Sequence, residues 1–215
     1  MNIGYILTVF GVILVSMTLH EFMHGFVAYK LGDDTPRLLG RLSLNPLKHI
    51  DPFLTLGLPL MIIVIGSITG TALPIFGGAK PVPFNPNNVK YDEWGVALMA
   101  AAGPLVNLLL AFISFALVIV LAVPAGSVLG DVLTTSVMVN LGFFAFNILP
   151  IPPLDGSRVL YSLAPDFVRR GMEMIERFGL VFIFLIVFLA GGSITWYMTS
   201  VINGLVAGFY HIFGM

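Results

Sequence analysis

Cysteine is absent from the 215 residues, which excludes disulfides, iron–sulfur clusters and thiolate metal sites but identifies no redox compartment. Charge is scarce as well. Asp, Glu, Lys and Arg make up 10% of the chain, where a soluble globular domain carries about 25%. With 58% hydrophobic residues and a mean hydropathy of +1.00, the expected class is an integral membrane protein with several spanning segments. No basic stripe or aromatic ladder points to nucleic acid; the expected partner is the lipid bilayer. The N-terminus lacks a positive n-region and a small-residue cleavage site, so its apolar run reads as a permanent helix. There is no internal repeat, low-complexity tract or appended soluble domain, and residues 1–215 read as one membrane domain.

What is present is a series of apolar segments. Ile3 to about Leu31 reads as one long helix, closed by Gly32-Asp33-Asp34 and Pro36. Residues 52–76 are apolar but interrupted by glycine and proline. Gly95 to about Val123, Val132 to Leu149, Phe178 to Ala190 and Ile194 to Phe213 follow; whether the last crosses the bilayer or lies along it is left open. All ten Lys and Arg fall in three windows: Lys30 to Lys48, Lys80 and Lys90, and Arg158 to Arg177. The positive-inside rule puts these windows in the cytoplasm, with the N-terminus and the turn near Gly126 outside. If the loops at Arg41 and Lys80 are both inside, 52–76 cannot cross once. A re-entrant or surface-lying path is expected, with a single span as the alternative.

The first helix carries the chemistry. No charged residue occurs between Ile3 and Leu19, and then His20-Glu21-Phe22-Met23-His24 follows. Histidines four apart project from one helical face, a spacing that suits two imidazoles closing on one zinc ion. Glu21 beside them is placed to take a proton from water whose pKa the zinc has lowered. The His-Glu-x-x-His pattern is moderately specific by itself. Its setting adds weight, because an ionisable group at bilayer depth is costly and by default marks a functional site. From His24 to Gly32 is about 12 Å of helix rise, so the site lies below the cytoplasmic surface.

A zinc hydrolase usually has three protein ligands. Asp155 is the expected third, after the cluster Pro150-Ile151-Pro152-Pro153, at a helix end on the same side as that of the first helix. An Asp-Gly pair at a helix exit more often marks an ordinary turn; beside a two-His site one ligand short, ligation is the preferred reading. His49 with Asp51 reads as a loop anchor and His211 as an interfacial residue.

HEFMH paired with FNILPIPPLDG resembles the site-2 protease family of intramembrane zinc metalloproteases. GRLSLNPLKHIDP (Gly40 to Pro52), GGAKPVPFNP (Gly77 to Pro86) and AAGPLVN (Ala101 to Asn107) match in the family's order, so the resemblance covers about three quarters of the chain. It implies an all-α polytopic membrane protein with a three-helix catalytic core, about 1–158, and extra C-terminal membrane segments, 178–213. It also implies one Zn2+ held by His20, His24 and Asp155, Glu21 as general base, and Asn147 in contact with substrate or the oxyanion. A small cytoplasmic-side β element would come from Arg37–Pro46 and Gly77–Pro86, able to pair with an unwound transmembrane substrate. Many relatives carry a PDZ or CBS domain; the loops here, about twenty residues at most, hold neither, which implies a compact form. A prokaryotic cell membrane is the expected location. The alternatives are a non-catalytic zinc-binding membrane protein and a membrane hydrolase of a non-peptide substrate.

Overall fold

A computed structural model describes residues 3–57, 64 and 78–214. Helix α1 runs without a break from Ile3 to Lys30. Apolar residues surround its first turns, where a bilayer leaves the backbone no partner but itself. Gly32 stops it with a positive φ of 108°. A short helix α2 (Thr35–Leu38) follows, then an irregular stretch to Asp51 and one π-helical segment, Pro52–Gly57. Helix α3 (Asp92–Val120) returns antiparallel, and the turn at 121–127 leads into α4 (Val128–Asn147). Helices α5 (Asp155–Leu163) and α6 (Asp166–Glu176) are short, and α7 (Leu180–Ile212) closes the chain. Among the described residues four helices, α1, α3, α4 and Leu185–Ile212 of α7, are long and apolar enough to cross a membrane. The chain is a multi-pass membrane protein.

Helices α1, α3 and α4 pack on one another. The second half of α7 joins them through an aromatic cluster in which Phe209 meets Phe112 and Phe115 at 5.2 and 5.5 Å between ring centroids. Leu141 and Ala111 are fully buried beneath it. Outward-facing leucines and phenylalanines, such as Leu105 and Phe188, make the surface that lipid covers. The break expected between Ala190 and Ile194 is milder than the Gly191-Gly192-Ser193 sequence suggests. Only Ala190 leaves helical geometry, at φ −123°, and α7 continues through the glycines. Two helical stretches therefore meet at a kink at Ala190, directly before the glycines.

The expected β element is different in kind. Among the described residues no strand forms: Arg37 lies in α2, and residues 78–85 are irregular. Pro81, Pro83 and Pro86 each lack the N–H a ladder needs. A side chain does the joining instead. The buried Arg41 guanidinium donates to the carbonyls of Lys48 and Lys80, and to that of Pro81 at 3.2 Å. The Lys80 amide donates to the His49 carbonyl at 2.8 Å, and Thr55 Oγ1 to the Gly78 carbonyl at 2.7 Å. The path expected for 52–76 lies largely outside the described residues, but its two flanks meet at these bonds.

Asp33, fully buried, ties the same region to α1. Its carboxylate accepts from the Thr35 hydroxyl and amide, the Asn85 amide (2.7 Å) and the Asn88 side chain. Burial works against the charge, but these donors outweigh it and hold the carboxyl below its ordinary value. A depressed folded pKa means the stabilisation is present above the unfolded value, about 3.9, and is lost as pH falls through the folded one. Asp33→Ala is expected to lose about 1–3 kcal/mol near neutral pH. Thermal unfolding of both proteins in detergent from pH 7 to 3 checks this; the gap should narrow towards the acid end.

Candidate metal centre

His20 and His24 lie one turn apart on α1, their rings edge to face with centroids 4.6 Å apart. Their Nε2 atoms approach to 3.0 Å. Asp155, the first residue of α5, brings Oδ2 to 3.1 Å from His20 Nε2 and 3.3 Å from His24 Nε2. The three side chains are 9%, 11% and 23% exposed, so the cluster is largely shielded yet reachable. These are the three ligands expected from sequence, brought together from positions up to 135 residues apart.

Two glycines make the approach possible. A Cβ on Gly156 would lie 2.2 Å from the Ile148 carbonyl oxygen, so only glycine lets α5 begin against the end of α4. Asp155 at that helix start also faces the positive end of the α5 dipole, which favours its ionised form. On the opposite side of the cluster, a Cβ on Gly103 would lie 2.4 Å from His24 Nε2 and 2.6 Å from His20 Nε2. Bare backbone at Gly103 therefore preserves the space in front of both ligand nitrogens. Pro104 follows inside α3, removing the helical N–H that would pair with the Ala100 carbonyl.

The polar partners fix how the rings present themselves. His24 Nδ1 lies 2.8 Å from the Met99 carbonyl, which can only accept, so Nδ1 carries the proton and Nε2 faces the cluster. His20 Nδ1 lies 2.6 Å from Asn107 Oδ1. With both rings neutral, two imidazole lone pairs and a carboxylate oxygen converge within 4.8 Å of one another, and a shared proton or a metal cation offsets their repulsion. Two nitrogens and one oxygen, with a side open to an exogenous ligand, form a donor set that fits zinc.

Glu21 stands beside the cluster on α1, and its Oε2 accepts from the Val82 amide at 3.1 Å. Asn147, at the last turn of α4, donates from its amide to the Phe143 carbonyl at 3.0 Å, one turn back on its own helix. His49 is fully buried and lies 2.7 Å from the Ser43 carbonyl, within the Arg41-bonded loop region. Gly103 and Asn107 were not singled out from sequence as site residues. The signal available was their four-residue spacing, which puts both on one face of an apolar helix where a buried amide needs a reason.

Proteins of known sequence are similar to this chain. YwhC of Bacillus subtilis (strain 168) is 40% identical over 197 residues, covering 87% of this chain and 84% of that protein. Rip2 of Mycobacterium tuberculosis (strain H37Rv) is 34% identical over 189 residues, covering 86% of this chain and 67% of its own length. A shorter match of 62 residues, 44% identical, links 29% of the chain to 31% of MJ0611 of Methanocaldococcus jannaschii. All three are provisionally named zinc metalloproteases. No family model matches the sequence, and no solved structure does.

Proposed function

This chain belongs to the site-2 protease family of zinc metalloproteases, and from that premise we propose that it hydrolyses a peptide bond within or beside a transmembrane segment of another membrane protein. The observation that carries the reading is the convergence of His20, His24 and Asp155 in a multi-pass membrane protein, with Glu21 next to them. His20, His24 and Asp155 would hold one zinc ion. Zinc when bound supplies Lewis acidity, polarising the scissile carbonyl and making a water acidic enough to lose a proton near neutral pH. Glu21 takes that proton on its carboxylate and returns it to the leaving amine. The Val82 N–H holds one carboxylate oxygen of Glu21 in place, which leaves the other for proton transfer. Asn147 has a second amide hydrogen beyond the one given to Phe143, and that hydrogen is available to a developing oxyanion. A transmembrane helix hides its peptide bonds in its own hydrogen bonds, so the substrate must unwind locally before attack.

The test is to compare the membrane proteomes of cells carrying the parent and Asp155→Ala. An uncut membrane protein should accumulate in the variant, whose purified form should also have lost zinc. Accumulation of a lipid alone would move the substrate to another class, and unchanged zinc content would remove Asp155 from the ligand set.

The orientation rests on the same end of the bundle. Lys90 N–H bonds the Leu31 carbonyl, Arg41 bonds the Lys48 and Lys80 carbonyls, and Arg169 pairs with Glu93 at 3.1 Å, so the three cationic windows share one side. We read that side as cytoplasmic. Thr55 and Gly78, the described flanks of segment 52–76, then both lie on it. Accessibility tags at Asn45 and Asn88 are expected to report the same compartment; opposite compartments would make the intervening segment a span.

A further inference from the structure

We infer that Asn107, itself oriented by Asn140, is the positioning residue that sets the tautomer of His20 and so fixes Nε2 as the atom His20 offers to the metal. The inference rests on the metal-centre reading above and assigns a role to a buried chain of amides that reading does not use.

The chain crosses three helices. His20 Nδ1 on α1 meets Asn107 Oδ1 on α3 at 2.6 Å. Asn107 Nδ2 reaches Asn140 Oδ1 on α4 at 2.8 Å and the Ser16 carbonyl on α1 at 3.4 Å. Asn140 Nδ2 reaches the Ser136 carbonyl at 2.9 Å and Ser136 Oγ at 3.3 Å. Ser136 Oγ meets Ser114 Oγ at 2.8 Å. Asn107 and Asn140 are 0% and 1% exposed, so no water completes their bonding from outside.

An amide can face either way, and hydrogen positions follow from its partners. Here the partners leave one solution. The Ser136 main-chain carbonyl only accepts, so Asn140 must turn its NH2 towards it and its oxygen towards Asn107. Asn107 must then donate from Nδ2, and the Ser16 carbonyl, on that same side, demands it independently. The remaining atom of Asn107, Oδ1, faces His20 and can only accept. His20 Nδ1 is therefore the protonated nitrogen and Nε2 the lone pair. Reversing Asn107 alone would aim its Oδ1 at Asn140 Oδ1 and the Ser16 carbonyl. Reversing both amides would aim Asn140 Oδ1 at the Ser136 carbonyl, in a buried site where unpaired polar groups are most costly. His24 reaches the same state through one backbone carbonyl, which no side-chain substitution can remove. His20 depends on a side chain, so its ligand geometry is the one open to change.

A metal-bound histidine whose distal N–H is held by an acceptor is both oriented and made a better donor, and loss of the acceptor typically weakens metal binding about 10–100-fold. The competing account is that these amides merely glue three helices together, which interhelical side-chain bonds also do.

Cobalt(II) titration of the purified full chain in detergent, followed by its visible d–d absorption, separates the two. Asn107→Leu should bind cobalt about 10–100-fold more weakly at unchanged helix content. Asn107→Asp keeps the acceptor towards His20 but sets its second oxygen against Asn140 Oδ1 and the Ser16 carbonyl. It should lose clearly less affinity than Asn107→Leu without regaining the parent value, whereas Ser114→Ala, at the far end of the chain, should leave it at the parent value. Should Asn107→Leu fail to fold, Asn140→Ala is the second variant, with a smaller, several-fold loss expected because only the Ser16 carbonyl, at 3.4 Å, then holds the Asn107 amide. Parent-like affinity in Asn107→Leu, an equal loss in the Asp and Leu variants, or a loss in Ser114→Ala would each overturn the inference in favour of packing. His20→Ala runs alongside: if it too keeps parent affinity, the fault lies with the metal-centre reading.

Discussion

Glu21→Gln is expected to keep zinc at the parent level and to lose about 10²–10⁴-fold in cleavage rate, the usual contribution of a general acid–base group. The substitution is nearly isosteric. The amide oxygen of Gln can still accept from the Val82 N–H, which the carboxylate accepts at 3.1 Å, so segment 78–85 has no reason to move. What disappears is a base able to take a proton. None of the three ligand side chains is altered, and the His20–His24–Asp155 geometry does not depend on Glu21. Zinc by elemental analysis and turnover of an isolated transmembrane substrate in detergent make the comparison. A variant that cuts as fast as the parent would sink the proposed proton transfer, and with it the distinction between an enzyme and a metal-binding membrane protein.

Gly103→Ala should be as damaging by a different route. Non-bonded carbon contacts sit near 3.5–4.0 Å, and the new methyl would meet His24 Nε2, His24 Cε1 and His20 Nε2 at 2.4–2.6 Å. Either both imidazoles rotate away or α3 withdraws from α1, and both movements spread the ligands. Zinc affinity is expected to fall at least as far as on losing an outer-shell partner, about 100-fold, with overpacking of about 1–3 kcal/mol showing in thermal unfolding. Gly142→Ala supplies the contrast. A Cβ there meets nothing within 4 Å, so alanine should be neutral or slightly stabilising in α4 and leave zinc unchanged. Stoichiometric zinc in Gly103→Ala would mean that the space in front of the imidazoles is not where the ion sits.

The cluster of His20, His24 and Asp155 was legible in sequence because its chemistry is local and rare. Two histidines at helical spacing inside an uncharged run announce a shared face, and the deficit of one ligand selects an aspartate at the right end of another helix. The spans were legible for the same reason, since apolar length is a property of the segment alone. The supports were not. Gly103 matters only because α3 packs with that residue against His20 and His24, and no periodicity says which face of α3 meets α1. Asn107 and Asn140 find each other across 33 residues, and Asp33 finds Asn85 across 52. Asp33 read as a helix stop, which it is, but its four donors come from elements whose arrival sequence does not disclose. The β element was expected by resemblance, and in the described residues its role falls to one guanidinium reaching three carbonyls, because prolines had removed the donors of a ladder.

The position of Asp155 has a mechanical corollary. In a polypeptide with no sulfur bridges, an ion gripped by α1 and by the first turn of α5 acts as a removable staple between segments 135 residues apart. Closing so long a loop in the unfolded chain carries a large entropic penalty, and ligand binding to the folded state alone offsets it by mass action. On the proposed metal-centre reading, free metal concentration would then be a variable of folding as well as of chemistry.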